Sequence, residues 1–340
     1  MKAIIQIPCF NEAESLPATL AELPRELPGC DLVEWLVIDD GSSDDTVAVA
    51  RAHGVDHVVS LPRNQGLATA FRTGLRACIE RGADVIVNTD ADNQYCAADL
   101  PALVRPIVAG HADMVVGCRP IETIEHFSAS KKLLQRLGSW VVRAASRADV
   151  DDAPSGFRAL SRQAAMRLNI FSEYTYTLES LIQAGQKNMA VLSVPVRVND
   201  PLRASRLIKS TGSYLLRSAD TIVRIFMTYR PFRFFFVPGA LSFLAGFVLG
   251  LRFVWYFLNG EGDGHVQSVI LAALLLGLGI FLAVVGLLGD LIAVNRKLLE
   301  DTRWQLFEIQ DALRAPPMDE RTTRVQRAGS APVSRRNASM

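Results

Sequence analysis

The chain has 340 residues, 36 Lys and Arg against 35 Asp and Glu, a formal net charge of +1 and 49% hydrophobic residues. Its apolar content excludes a disordered protein, and its charge balance excludes a globally basic nucleic-acid binder. A mean hydropathy of +0.19 beside 21% charged residues is high for a soluble enzyme, so the apolar content must be concentrated somewhere, and the length suggests about two domains of roughly 150 residues.

From the N-terminus, short apolar runs alternate with helical patterns. Residues 3–7, AIIQI, read as a buried strand and 12–26 as a helix. Residues 34–40, EWLVIDD, form a second strand ending in acids, followed by a helix closed by Gly54 and a third strand, VDHVVSL. The run 65–82 has helical spacing with Gly82 as its cap, and 83–90, ADVIVNTD, is a fourth strand that again ends in acid. A helix at 99–110 and a fifth strand at 112–118 complete an α/β alternation, which implies a mostly parallel sheet with helices on both faces. Ligands of such sheets bind at the carboxyl ends of the strands. Residues 128–148 have a basic amphipathic helix pattern. The segment DDAPSGFRAL (151–160) reads as a loop, and two short helices and a strand at 190–198 follow it.

The C-terminal third holds the excess hydrophobicity. Residues 203–230 form a basic amphipathic stretch with Arg203, Arg206, Lys209, Arg217 and Arg224, suited to lie against anionic headgroups. Residues 234–251 are uncharged, and 269–289 are 21 residues without a charge or strongly polar side chain. At 1.5 Å per residue that length crosses a hydrocarbon core of about 30 Å. The expected organisation is a catalytic domain over 1–200, interfacial helices over 201–231, membrane spans at 232–258 and 266–294, and a tail over 295–340 that is disordered from about 315. Arg224, Arg230 and Arg233 precede the first span and Arg296 and Lys297 follow the second, while the loop between them carries only Glu261 and Asp263. That asymmetry places the catalytic domain and tail in the cytoplasm of a multi-pass plasma-membrane protein. The MKAIIQIPCF start is too short an apolar run for a signal peptide. Gly246, Gly250, Gly277 and Gly279 would allow the spans to pack against neighbouring subunits of a homo-oligomer. Five cysteines with no C-x-x-C pair fit a reducing compartment and no Cys-based zinc site.

The chemistry-bearing residues are acids at strand ends. Asp39-Asp40-Gly41-Ser42 and Asp90-Ala91-Asp92 fall on one rim of the expected sheet. Two carboxylates at i and i+2 around a turn, with the Gln94 amide oxygen nearby, can hold a hard divalent cation against a diphosphate leaving group. No G-x-x-x-x-G-K-[ST] and no strand-linked G-x-G-x-x-G is present, which disfavours an NTPase or a nicotinamide dehydrogenase.

Five motifs occur in order: Pro8-Cys9-Phe10-Asn11-Glu12, Val37-Ile38-Asp39-Asp40-Gly41-Ser42, Asn64-Gln65-Gly66, Asp90-Ala91-Asp92-Asn93-Gln94 and Ser155-Gly156-Phe157-Arg158. Over about residues 1–225 the chain resembles the family-2 inverting glycosyltransferases of the dolichyl-phosphate mannose synthase or polyprenyl-phosphate glucosyltransferase kind. The resemblance implies a GT-A type nucleotide-sugar-binding sheet and transfer of a hexose from a UDP-glucose or GDP-mannose type donor to a polyprenyl phosphate, assisted by Mg²⁺ or Mn²⁺. It also implies site roles. Pro8, Asn11, Glu12, Asp39, Asp40 and Gly66 would line the nucleotide-sugar pocket; Asp90 would face ribose and metal, with Asp92 and Gln94 as further metal ligands. Arg119 would sit near the phosphates and Asp152 near the reacting sugar. Lys131, Lys132, Arg203, Ser205 and Arg206 would receive the acceptor phosphate, although the family's Gly is missing from that last segment and Arg stands for Lys.

Because a lipid phosphate nucleophile is already anionic, such a transfer requires no strong general base. Three other readings compete. A processive polysaccharide synthase would carry Q-x-x-R-W, for which the near match is Glu300-Asp301-Thr302-Arg303-Trp304, after the last span. A related transferase could use a glycan or other acceptor. A nucleotide-sugar sensor on a degenerate fold would bind donor without turnover, against which the intact Asp90, Asp92 and Gln94 set argues.

Overall fold

A computed structural model describes residues 1–120, 150, 152–170, 176–200, 223–224, 227–260 and 266–314. The helix expected over 128–148 with Lys131 and Lys132, the acceptor segment with Arg203, Ser205 and Arg206, and the tail from 315 lie outside the described residues. The chain divides into two compact units, Met1–Lys297 and Leu298–Met340.

The first unit is built on strand β1 (Lys2–Cys9), an almost wholly buried run of the kind that fits only the middle of a parallel sheet. It pairs in parallel with β2 (Leu32–Asp39) on one side and β4 (Val85–Asn88) on the other. With β3 (His57–Ser60), β5 (Met114–Cys118), β6 (Arg158–Ser161) and β7 (Val191–Pro195), the sheet order is β3-β2-β1-β4-β6-β5-β7. Every strand is parallel to β1 except β6, which pairs antiparallel with both β4 and β5.

Strand β6 corrects the reading of 151–160 as a loop. Residues 152–157 are irregular, but Arg158 opens a buried strand between β4 and β5. The charged head of a four-residue strand hides it from pattern reading, because Arg158 is fully buried and satisfied by acceptors that no local sequence pattern reveals.

Alternate residues of β1 face opposite sides, as the period of two requires. Ile4 packs beneath α3 (Leu67–Glu80) and α6 (Thr177–Gln186), in a cluster with Leu36, Ile38, Phe71, Ile86 and Leu181. Ile5 and Ile7 pack on the other face under α1 (Leu16–Glu22) and α4 (Leu100–Val108), with Val37, Leu100 and Leu103. Helices α2 (Thr46–Ala52) and α5 (Arg162–Arg167) complete the layers. The carboxyl ends of β1, β2, β4 and β5 and the start of β6 therefore share one rim.

Beyond the sheet, α7 (Pro231–Leu258) and α8 (Val266–Arg314) are the two described helices long and apolar enough to cross a membrane. They meet on small residues. A Cβ at Gly239 would lie 3.0 Å from the Gly279 carbonyl, and one at Gly246 would lie 2.9 Å from the Ala272 carbonyl. Gly246 and Gly279 thus serve contacts within this hairpin, whereas Gly250 and Gly277 face open space. The outer faces carry exposed Leu241, Val248, Trp255, Phe281 and Ile292. Helix α8 continues unbroken past the span expected to end at 294.

Candidate active site at the carboxyl rim

The turn after β4 carries Asp90, Asp92 and Gln94, and the fold fixes it from both sides. Thr19 of α1 donates to the Ala91 carbonyl at 2.9 Å, and Asn93 donates to Glu22 of the same helix at 2.9 Å. Asn93 holds a left-handed φ of 56°, which Asn tolerates better than most residues. From the far edge, the Asn199 amide donates to the Gln94 carbonyl at 2.9 Å. Within the turn, the Gln94 N–H donates to Asp92 Oδ1 at 3.2 Å.

Asp90 lies against the backbone of the Ser155-Gly156 turn. A Cβ on Gly156 would sit 3.0 Å from Asp90 Oδ1 and 3.1 Å from Oδ2, so any larger residue requires the carboxylate to give way by a few tenths of an ångström. Burial, and then the charge of Asp92, push the Asp90 carboxyl up to about 7, with Arg119 acting in the opposite sense. Asn88, at the end of β4, ties the turn to the sheet: its amide donates to the Gly156 carbonyl at 2.8 Å and to the Tyr176 hydroxyl at 2.9 Å, while Gln6 of β1 donates to its oxygen at 2.9 Å.

The Asp39-Asp40 pair at the end of β2 divides its work. Both oxygens of Asp40 accept backbone N–H groups, Oδ1 from Gln65 and Oδ2 from Gly66, each at 2.8 Å. Asp40 is buried and organises the 63–66 loop, against which Gly41 packs so closely that a Cβ would meet the Arg63 carbonyl carbon at 2.5 Å. Asp39 accepts from the Ser42 amide through Oδ1 alone. Across the rim, Asn11 at φ 55° donates its amide to Ser42 Oγ at 2.9 Å and accepts from the Ser43 amide at 2.8 Å, and the Glu12 amide donates to Thr46 Oγ1 at 2.9 Å. Pro8 lies within β1, opposite Ile38. The loop after β1 and the loop after β2 are thereby laced into one wall.

Arg119, after β5, and Asp152 face each other at the opposite side. Arg119 Nε donates to Asp152 Oδ2 at 2.7 Å, Nη2 to Oδ1 at 3.0 Å and the Arg119 amide to Oδ2 at 3.2 Å. Asp152 is fully buried and the Arg119 side chain is 10% exposed. The guanidinium carbon lies 5.9 Å from the Tyr95 ring centre, and Tyr95 stacks on Phe157 and accepts the Gly156 amide at 3.0 Å. Burial pushes the Tyr95 hydroxyl up to about 12, so it remains a neutral hydrogen-bonding group.

Arg158 had no separate role in the sequence reading. It is fully buried and donates to the carbonyls of Ala153, Ser155 and Thr177, at 2.7, 2.8 and 2.8 Å, and to Ser180 Oγ. It holds the 152–157 turn in place and is out of reach of a ligand. Gln6 and Asn88 were also missed. Their signal was a polar side chain inside an otherwise apolar strand, which is affordable only when another buried polar group satisfies it.

Among the described residues, no cluster of three His, Cys, Asp or Glu is arranged to hold a metal ion. Asp90, Asp92 and Gln94 offer two carboxylates and one amide, all hard oxygen donors. That set suits a cation that keeps water and phosphate oxygens as its remaining ligands.

Residues 4–174, a stretch containing all five motifs, match the model of the family described as Glycosyl transferase family 2. The chain belongs to that family. This family-2 glycosyltransferase is 29% identical over 206 residues to an undecaprenyl-phosphate mannosyltransferase of Micrococcus luteus, covering 58% of this chain and 83% of that protein. It is 26% identical over 223 residues to a polyprenol monophosphomannose synthase of Mycolicibacterium smegmatis, covering 62% and 82%. Among solved structures, glucosyl-3-phosphoglycerate synthase from Mycobacterium tuberculosis in complex with phosphoglyceric acid is similar with a TM-score of 0.52 at 23% identity, over 66% of this chain and 79% of that chain. The glycosyltransferase thus has the GT-A type of sheet, and its relatives include enzymes of the polyprenyl-phosphate type.

Proposed function

We propose that the chain is a membrane-bound inverting hexosyltransferase that moves a sugar from a UDP- or GDP-linked donor to a polyprenyl phosphate. The observation that carries this reading is that the same chain combines a family-2 domain with two helices apolar enough to cross a membrane. A transferase so anchored meets acceptors held at the bilayer surface, and a lipid phosphate is such an acceptor. The names of the Micrococcus and Mycolicibacterium relatives support the same acceptor class. A nucleotide-sugar donor is supported by the complex of the similar glucosyl-3-phosphoglycerate synthase with Mn²⁺ and UDP-glucose, which has a TM-score of 0.51.

In this reading the wall made by Pro8, Asn11, Glu12, Asp39 and the loop that Asp40 fixes through Gly66 receives the nucleoside. Asp90, Asp92 and Gln94 would hold Mg²⁺ or Mn²⁺, which when bound supplies charge neutralisation for the departing diphosphate. Lys131, Lys132, Arg203, Ser205 and Arg206 remain the proposed acceptor-phosphate residues on sequence grounds. A phosphate oxygen of the lipid forms the new bond to the anomeric carbon from the face opposite the nucleotide, and the bond from that carbon to the diphosphate breaks with its electron pair. The nucleophile enters as an anion, so no proton has to be removed. Arg119 stabilises the charge gathering on the leaving group, and Asp152 orients Arg119 instead of acting as a base.

Replacing Asp92 by Ala tests the site. The expected outcome is loss of transfer by at least about a hundredfold with the chain still in the membrane fraction; undiminished transfer would refute the cation assignment.

A further inference from the structure

The residue that leads into the first apolar helix is packed into the hydrophobic core of the sheet domain. Tyr229, two residues before α7, is buried in the cluster beneath α3 and α6. Its hydroxyl donates to Glu179 Oε1 at 3.0 Å and accepts from Gln183 Nε2 at 3.1 Å, both buried on α6. Gln183 in turn accepts the Asn169 amide at 2.8 Å. On its other side, the Tyr229 ring lies 4.5 Å from the guanidinium carbon of Arg296, near the end of the apolar run of α8. Burial and the adjacent Glu179 both raise the Tyr229 pKa, so the hydroxyl keeps the proton it donates.

The same helix reaches the rim. Its first residue, Thr177, and Ser180 accept from Arg158, which braces the Ser155 turn, and the preceding Tyr176 accepts from Asn88 and packs against Gly156. A continuous set of contacts therefore runs from Arg296 through Tyr229, Glu179 and α6 to the backbone that abuts Asp90.

We propose that Arg296 and Tyr229 are positioning residues that lock the second apolar helix to α6 and so fix the height and tilt of the active-site rim relative to the membrane surface. A cation over an aromatic face, part-shielded from water, is strong enough to define one orientation. The consequence is selective: an acceptor embedded in a bilayer reaches the rim only when the rim is held at the right level, whereas a water-soluble acceptor does not depend on it. The kinetic consequence rests on the proposed acceptor class; the contact between the helix and α6 does not.

The test uses the full chain in vesicles, with Arg296→Ala, Arg296→Lys and Tyr229→Phe. Both Arg296→Ala and Tyr229→Phe are expected to raise the KM for a long-chain polyprenyl phosphate in the bilayer about tenfold. They should leave the KM for nucleotide sugar, and the rate with a soluble two-isoprene phosphate, within about twofold, and Arg296→Lys should recover most of the loss. Equal losses with both acceptors would reveal a merely structural role and overturn the proposal, as would wild-type kinetics in both variants. If the wild-type chain glycosylates no polyprenyl phosphate, the proposed function fails instead. Amide exchange then decides the coupling: faster exchange across 177–186 in Arg296→Ala than in wild type supports it, and unchanged exchange overturns it.

Discussion

Arg119 and Asp152 form a two-pronged ion pair in which Nε and Nη2 of the arginine meet both oxygens of a fully buried carboxylate, at 2.7 and 3.0 Å. Arginine is suited to this geometry because its planar fork matches a carboxylate edge, which lysine cannot do. Burial alone would weaken the Arg119 charge, but the hydrogen-bonded Asp152 carboxylate opposes that effect, and the Arg119 pKa stays raised and the side chain cationic.

Substituting Asp152 by Asn keeps the shape of the pair and removes its charge. The buried guanidinium is then uncompensated, which costs about 3 kcal/mol of stability. On the proposed role of Arg119 at the leaving group, transfer should fall about a hundredfold, because the guanidinium is no longer held by its partner. Urea unfolding and initial-rate measurements check the two effects; a full rate in the variant would mean that Arg119 is oriented without its partner.

Asp40→Asn should act through the loop. A carboxylate accepts from both Gln65 and Gly66, but an amide offers one acceptor and turns an N–H donor toward the other backbone N–H. The expected loss of stability is about 1–3 kcal/mol, accompanied by weaker nucleotide binding and a smaller change in kcat. Denaturant midpoints and nucleotide titration read these effects; unchanged stability would show that the loop does not depend on the two bonds.

Gly156→Ala places a methyl group 3.0 Å from Asp90 Oδ1 and 3.0 Å from the Tyr176 hydroxyl. Both must shift by a few tenths of an ångström. Overpacking on this scale costs about 1 kcal/mol or more in stability, and the displacement of Asp90 should lower transfer by about tenfold. The apparent affinity for divalent cation should fall in parallel. A variant with wild-type cation dependence would separate Gly156 from the Asp90 site.

The strand–helix alternation was readable because β1, β2 and β4 are short apolar runs separated by helical patterns, and the sheet is mostly parallel as those runs imply. The antiparallel strand β6 was not readable, since its leading Arg158 is a charged residue whose donors are satisfied by the carbonyls of Ala153, Ser155 and Thr177, which only the folded turn and α6 bring together. The strand-end position of the Asp39-Asp40 pair was legible, as was the Asp90-Asp92 cluster at the end of the fourth strand, although β4 stops at Asn88, short of the expected end at residue 90, and leaves Asp90 in the turn. The different engagement of Asp39 and Asp40 was not, because it depends on a loop folding back from residues 65 and 66. The core role of Tyr229 was equally hidden: the sequence around it reads as a membrane approach, and only packing beneath α6 gives it buried partners.

The most direct test is to incubate the full chain in vesicles containing polyprenyl phosphate with radiolabelled UDP- and GDP-hexoses and divalent cation, then extract with organic solvent. Label from one nucleotide sugar should enter the organic phase only when the lipid phosphate is present, and Asp92→Ala should abolish it. Transfer that is independent of lipid phosphate, or label that remains wholly in the aqueous phase with every donor, would contradict the account.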